Sequence, residues 1–149
     1  MKSVEKLSRL ANKLERKLNK LGQAQAGTLG ITDLFFAGDE AKQRSFASAI
    51  QNQQGPVYKI LESSYMKTQQ PTSFNLKVNI APGEGANWVL KVNPPTLKPQ
   101  VAAALNGVYQ KTVGGDMNTV AKTASSKVKA AGAAAGAPWQ ADVGSLDLS

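Results

Sequence analysis

An alternation of apolar and polar residues between positions 74 and 93 constrains the fold more than any other feature of the chain. Apolar side chains occupy every second position in the first arm, residues 74–80, and again in the return arm, residues 88–93. A period of two predicts a strand with one buried face. The intervening residues 81–87 contain a proline and two glycines, which favour a turn. The sequence therefore predicts an antiparallel β-hairpin.

A lone hairpin is only marginally stable in water, so its apolar face needs a cover from the rest of the chain. Most of the remaining sequence has helical spacing. We therefore expect a mainly helical α+β fold, with about five helices around one central antiparallel β-hairpin (residues 74–93) and with extended N- and C-terminal arms. The expected segments are a basic amphipathic helical arm (1–22), a small α+β core (23–113), an Ala/Lys-rich helix (114–137) and an extended tail (138–149).

The N-terminal arm has the clearest helical pattern, over residues 3–21. Its apolar stripe follows spacings of three and four, as in a coiled-coil seam, and consists of Val4, Leu7, Ala11, Leu14, Leu18 and Leu21. Basic residues surround it: Lys6, Arg9, Lys13, Arg16, Lys17 and Lys20. Three interpretations stay open: a surface helix docked on its own domain, a coiled-coil arm between subunits, and a helix that lies on a membrane or nucleic acid.

Start signals place the other helices. Asp39 is suited to cap a helix that begins at Glu40, and Pro56 and Pro99 suit the first turns of two more helices. Asp116 is suited to cap a last helix, whose apolar face is nearly all alanine. Three lysines lie on the polar side of this helix: Lys122, Lys127 and Lys129.

The tail beyond Pro138 has spaced apolar residues in an otherwise polar strip: Trp139, Val143, Leu146 and Leu148. Two interpretations are open for it. One is a disordered end, and the other is an extended peptide that docks its apolar side chains on another subunit.

Composition excludes several kinds of chemistry. The 149 residues carry a formal net charge of +8 and include neither cysteine nor histidine. Disulfides, thiolate metal sites and Ser-His-Asp or Cys-His catalysis are thereby excluded. The carboxylates are scattered, and the adjacent Asp39 and Glu40 stand at a helix start, where acidic groups are stabilising anyway. We therefore predict that the protein is not an enzyme and has no catalytic residue, metal site or cofactor.

Charge and hydropathy bear on partners and location. The positive net charge favours acidic partners, namely nucleic acid, anionic lipid or an acidic protein. No run approaches the roughly 18 consecutive apolar residues of a spanning helix. The N-terminal leucines are spaced, unlike the continuous apolar core of a secretory signal.

In general character the chain resembles the small virion proteins of tailed bacteriophages. It is short and basic, lacks cysteine and histidine, is rich in Ala, Gly, Gln and Asn, and sets long arms around a small core. The resemblance implies a non-enzymatic structural subunit of the capsid, neck, tail or virion interior, assembled in the host cytoplasm. Its partners would be further copies of itself and other structural subunits. If the protein is not viral, a cytoplasmic location is expected.

Two sets of residues are predicted to make these contacts. The subunit interface is predicted at Val4, Leu7, Leu14, Leu18, Leu21, Phe74, Leu76, Val78, Trp88, Leu90, Trp139 and Leu146. Contacts to nucleic acid or an acidic partner are predicted at Lys6, Arg9, Lys13, Arg16, Lys17, Lys20, Lys122, Lys127 and Lys129. Two alternative functions are a nonspecific nucleic-acid-binding protein that uses its basic arms and a membrane-active ejection or pore component that uses the amphipathic hairpin.

Overall fold

The computed structural model describes residues 29–132 and 136–149. In these ranges the chain has a mixed α+β fold, with helices packed on one face of a three-stranded antiparallel sheet. The elements in chain order are α1 (Ile31–Phe35), α2 (Glu40–Gln51), α3 (Pro56–Thr68), β1 (Thr72–Ala81), β2 (Gly85–Asn93), a 3₁₀ turn (Pro95–Leu97), α4 (Lys98–Thr112), α5 (Met117–Ala131) and β3 (Trp139–Leu148).

The predicted hairpin is present as β1 and β2, and β1 is the central strand of the sheet, in the order β2–β1–β3. The two strands pair antiparallel, with Leu76 opposite Leu90 and Val78 opposite Trp88. They contain ten and nine residues, so both are longer than the predicted arms. Along β1 buried and half-buried residues alternate strictly, which confirms the predicted buried face.

The prediction of an extended C-terminal arm is wrong in one respect, because residues 139–148 are not a free tail. They form β3, which pairs antiparallel with β1 on the side away from β2. The register shifts where Leu76 lies opposite Gly144 but Lys77 lies opposite Asp142, so Val143 is the extra residue of a β-bulge. The tail therefore completes the sheet of its own chain.

The helices begin where the start signals place them. Asp39 accepts a hydrogen bond from the Ala41 backbone N–H at 2.8 Å and caps α2, and Pro56 stands in the first turn of α3. About five helices were predicted, and the described ranges contain four helices of twelve or more residues. The remaining helix, α1, is a short segment of five residues. The predicted helix at 3–21, with its coiled-coil interpretation, lies outside the described residues.

One apolar core joins these elements, and residues from α1 through β3 contribute to it. Its centre is an aromatic cluster of Phe35, Phe36, Phe46, Trp88 and Tyr109. The rings of Phe35 and Trp88 meet edge to face, with centroids 4.5 Å apart, which is a favourable aromatic geometry. The Tyr109 hydroxyl donates a hydrogen bond to the backbone carbonyl of Phe35, so α4 is tied to α1 through the core.

Candidate functional site

Most of the predicted interface residues of the hairpin lie inside this core. Phe74, Leu76 and Val78 are 2%, 1% and 0% exposed and belong to the helix-covered face of the sheet. Trp88 and Leu90 are partly buried against the same core. A subunit contact or a membrane contact through these side chains would therefore require the helices to leave the sheet.

The structure brings together two of the three predicted basic contacts on α5. Lys122 and Lys129 share one helical face with Asn118 and Ser125, since positions i, i+4, i+7 and i+11 lie in one row. Lys127 projects about 140° around the helix axis from Lys122, at about 100° per residue. The predicted site residues between positions 4 and 21 lie outside the described residues.

A concave surface lies between this face of α5 and the edge of β2. We call it the α5–β2 groove; it has a volume of about 500 Å³ and is lined by Ala86, Asn87, Asn118, Ala121, Lys122 and Ser125. Its polar groups are an ammonium, two side-chain amides and a hydroxyl, all of which can donate hydrogen bonds. The lining therefore suits an acceptor-rich or anionic ligand.

Two contacts hold α5 beside β2. Gly85, with φ at +116°, approaches so closely that a Cβ there would collide with the Oγ of Ser125 and lie 3.3 Å from the Cε of Lys129. The indole Nε1 of Trp88 donates a hydrogen bond of 3.0 Å to the backbone carbonyl of Met117. The walls of the groove are thus fixed by close packing at one end and by a hydrogen bond at the other.

Asp116 caps the N-terminus of α5 at this second end. Its Oδ1 accepts hydrogen bonds from the backbone N–H groups of Asn118 (2.8 Å) and Thr119 (3.2 Å), and its Oδ2 accepts one from Asn106 Nδ2 (3.1 Å). The pKa of Asp116 lies below its usual value, mainly because of the hydrogen bond from Thr119 and then because of the one from Asn106. The positive charge of Lys122 lowers this pKa further. This carboxylate is therefore committed to the helix cap.

The opposite side of the sheet ends at β3. We call the outward backbone of Trp139–Leu148 the β3 edge; within the described part of the chain it has no strand neighbour. β3 contains Asp142 and Asp147 and no basic residue. Trp139, a predicted interface residue, is 7% exposed and its buried Nε1 has no hydrogen-bond partner among the described residues. Leu146, also predicted for the interface, is partly buried against the core.

The face of the sheet turned away from the core is polar. The side chains of β1 on this face alternate with the buried ones and are Ser73, Asn75, Lys77 and Asn79. Asn75 Nδ2 donates a hydrogen bond of 3.0 Å to Asp142 Oδ1, which links β1 to β3 across this face. The amphipathic character expected of the hairpin is therefore present, with its polar side outward.

The described residues contain no group of three or more His, Cys, Asp or Glu side chains that could hold a metal ion. The adjacent acids have the structural roles predicted for them. Asp39 caps α2, and Glu40 lies 3.7 Å from Arg44, four residues along, as an exposed ion pair.

Sequence reasoning predicts the lysines of the groove but not Asn87, Asn118 or Ser125. The spacing of Asn118 and Ser125 relative to Lys122 places them in one row of α5, so the row itself can be read from the sequence. Asn87 belongs to the groove only because β2 packs beside α5, and no local pattern carries that information.

Comparison with protein-family models, with curated proteins and with solved structures found no match to the chain. Across residues 29–132 and 136–149, no helix combines the length and the apolar character needed to cross a membrane. The geometry of the two sides of the sheet is therefore the basis for the functional proposals.

Proposed function

We propose that this chain is a non-enzymatic structural protein, a subunit that assembles with further copies of itself through the β3 edge. The observation that supports this proposal is the position of β3, a ten-residue strand at the border of the sheet whose outward backbone meets no other strand in the described ranges. Unpaired N–H and C=O groups of an edge strand are a template for pairing with another chain.

The charge of β3 bears on which segment of a second copy it pairs with. β3 carries two carboxylates and no base, so pairing with a second β3 edge brings like charges together, and pairing with a basic segment of the second copy avoids this. The bulge at Val143 divides the edge into pieces of four and five residues, and each piece is long enough to pair over a short ladder.

Within the class of structural proteins, we propose a place in the virion of a tailed bacteriophage, as a capsid, neck, tail or internal protein. The general character of the sequence supports this assignment: it is short and basic, and it has no cysteine and no histidine. Quantitative mass spectrometry of purified particles would detect the chain in a fixed copy number. Its absence from particles that are otherwise complete would exclude the virion assignment without bearing on self-assembly.

The first experiment is the mass of the full chain in solution by light scattering, at about 50 mM and about 1 M salt. We expect a discrete oligomer at both concentrations, because backbone hydrogen bonds, unlike exposed charge contacts, are not screened by salt. A monomer at both concentrations would overturn the proposed self-assembly.

A proline scan of Ser145, Leu146 and Asp147 locates the interface. Along a strand, successive backbone N–H groups alternate between the two sides, so proline replaces either a bond to β1 or an outward N–H. Melts are compared at the lowest usable protein concentration, where assembly adds least to the stability. Variants that keep the thermal stability of the wild type there have lost an outward N–H, and we expect their oligomers to dissociate. Variants that unfold at lower temperature mark the positions bonded to β1 and are the matched controls. Stable variants with unchanged mass would place the interface elsewhere.

A further inference from the structure

We propose that the α5–β2 groove binds the phosphodiester backbone of nucleic acid, without regard to base sequence. This site goes beyond the assembly role, because the groove lies on the side of the sheet opposite the β3 edge. A subunit could therefore use both surfaces at once.

The groove offers the chemistry that phosphate oxygens need. Lys122 supplies a positive charge, Asn87 and Asn118 supply amide donors, and Ser125 supplies a hydroxyl. Side chains of these types make most protein contacts to phosphate and sugar groups. No carboxylate lines the groove, and the charge of Asp116, which interacts with Lys122, is also shared with the hydrogen bonds of the α5 cap.

The dimensions also fit a strand of nucleic acid. From Asn118 to Lys129 the row on α5 spans eleven residue steps, which corresponds to about 16 Å along the helix axis. A row of this length is long enough to contact more than one phosphate of a strand that follows it. Lys129 lies beyond the far end of the lining residues, against Gly85, and extends the basic surface in that direction.

Nucleic acid fits the groove better than a lipid surface does. Membrane-surface binding needs large apolar side chains that enter the acyl region. Among the described residues the exposed large apolar side chain is Met66, which belongs to α3 and does not line the groove. The apolar residues of the lining are the alanines Ala86 and Ala121, which leave room for a backbone but give no lipid anchor.

The absence of aromatic side chains from the lining is the reason why we infer binding of the backbone. Proteins hold the bases of single strands by stacking them on aromatic rings, and the groove lining contains none. Trp88 on the adjacent strand is engaged with Phe35 and Met117 inside the protein. Affinity is therefore expected to depend on salt and little on sequence.

The test compares two double variants of the full chain that remove the same charge. Lys122→Gln with Lys129→Gln alters the groove, and Lys59→Gln with Lys67→Gln alters exposed positions of α3 as the matched control. Binding of a fluorescent 20-nucleotide single-stranded DNA of mixed sequence is measured by anisotropy between about 50 and 300 mM salt. Circular dichroism melts show that both variants are folded.

We expect the groove variant to bind about tenfold more weakly at about 100 mM salt. Its plot of log affinity against log salt should also be shallower by about 1.4, since each neutralised phosphate of a single strand contributes about 0.7. The control should stay within about twofold of the wild type. Equal losses in the two variants would mean diffuse charge attraction, and no binding by the wild type would likewise overturn the proposal.

A second measurement separates the groove from the lysine-rich N-terminal residues. Side-chain amide signals of Asn87 and Asn118 in ¹⁵N NMR spectra should shift on addition of the same oligonucleotide, while the amide signal of Asn52 at the C-terminal end of α2 stays in place. Binding without any shift at Asn87 and Asn118 would place the site elsewhere and overturn the proposal. Preferential binding to vesicles with anionic lipid over the oligonucleotide would assign the groove to a membrane surface instead.

Discussion

The two outer strands of the sheet, β2 and β3, both flank β1, and each has one tryptophan and one glycine in close contact with a helix. On β2, the Trp88 indole is hydrogen-bonded to Met117 and Gly85 packs against α5. On β3, the Trp139 indole has no hydrogen-bond partner among the described residues, and Gly144 packs against α2. The same residue types thus make different contacts on the two strands. On β2, both the tryptophan and the glycine contact α5, whereas on β3 the tryptophan indole N–H lacks a hydrogen-bond partner in the described ranges.

This difference has a functional meaning under our proposals. A side held by α5 gives a groove of fixed shape, which suits a ligand of regular geometry. A side with an open strand backbone suits another strand, which brings its own hydrogen-bond partners. Stability measurements can show whether the two sides differ in the free energy that their contacts contribute.

The largest effect is expected for Gly85→Ala on the β2 side. A side chain there must adopt φ of +116° and also meets the Oγ and the Cβ of Ser125, and the Cβ cannot move without moving the backbone of α5. Backbone strain and overpacking together should lower the free energy of unfolding by about 3 kcal/mol. Urea denaturation of the variant and the wild type measures this loss.

Gly144→Ala on the β3 side is the matched comparison and should cost only about 1 kcal/mol. The added Cβ would collide with the Cδ1 of Ile50, which is the far end of its side chain, and would lie 3.1 Å from its Cγ1. Ile50→Val removes the Cδ1, so Gly144→Ala should cost less in the Ile50→Val background than in the wild type. Equal losses for Gly85→Ala and Gly144→Ala would remove the proposed difference between the two sides.

The two tryptophans give the next largest contrast. Trp88→Phe leaves the Met117 carbonyl without its indole donor and weakens the ring contacts, so we expect a loss of about 2–3 kcal/mol. Trp139→Phe removes a buried N–H that has no partner in the described structure, and that relief should offset part of the lost packing. We expect a loss of about 1 kcal/mol or less for this variant.

Fluorescence makes this comparison direct, because the chain contains two tryptophans and each variant keeps one of them. Unfolding of each single-tryptophan variant is followed by its remaining indole, with circular dichroism as an independent probe. A larger loss for Trp139→Phe than for Trp88→Phe would show that β3 is the more tightly held strand.

Alkaline pH tests the core next to Trp88. Burial raises the pKa of Tyr109 to about 12, so the folded state keeps a proton that the unfolded chain releases near pH 10. The corresponding stability is complete below pH 10 and is lost as the pH rises towards 12. By pH 11 the wild type should therefore lose about 1 kcal/mol more than Tyr109→Phe does, relative to their values at pH 9.

At neutral pH the same variant should be less stable than the wild type by about 1–2 kcal/mol, since the Phe35 carbonyl loses its donor. Denaturation at several pH values separates the two effects, because the other tyrosines and the lysines titrate equally in both proteins. Parallel curves for the variant and the wild type above pH 10 would contradict the raised pKa.

The smallest effect concerns the polar face of the sheet. Asn75→Ala removes the hydrogen bond to Asp142 and should cost about 0.5–1 kcal/mol, and Asp142→Ala should cost a similar amount. The double variant should be no worse than either single one if this bond is the whole effect. Asn79→Ala, four residues along β1 on the same face, is the control and should be close to neutral.

The sequence predicts the hairpin and the helix starts because these signals are local. Alternation in residues 74–80 is set by neighbouring positions, and Asp39, Pro56 and Asp116 act within one helical turn. The ends of the strands were not predicted. Thr72 and Gly85 belong to β1 and β2 because they pair with residues of a neighbouring strand, and no apolar pattern marks them in the sequence.

The strand β3 was not predicted, for a different physical reason. Its inward residues are Trp139 and Ala141 before the bulge and Leu146 and Leu148 after it, so the extra Val143 shifts the alternation from odd to even positions. A period of two is then lost over the whole segment, and the two carboxylates lower its strand propensity further. Only the pairing with β1, a long-range contact, reveals the strand.

The α5–β2 groove could be predicted in part. The row that contains Lys122 and Lys129 follows from helical spacing, and Asp116 marks where the helix begins. Which surface faces that row depends on how α5 packs on the sheet, and it is fixed by the close approach of Gly85. Gly85 follows a hairpin turn, and the turn alone is a sufficient reason for a glycine at this position. The sequence therefore gives no indication that Gly85 contacts Ser125.

The position of β3 in the chain also has a consequence for synthesis. About 60 residues separate the end of β1 from the start of β3, so the hairpin leaves the ribosome well before the strand that completes the sheet. At about 5–20 residues per second, the second side of β1 is left without its partner for about 3–12 s. Nascent chains on one polysome are close neighbours during that interval, and each presents an incomplete sheet to the next.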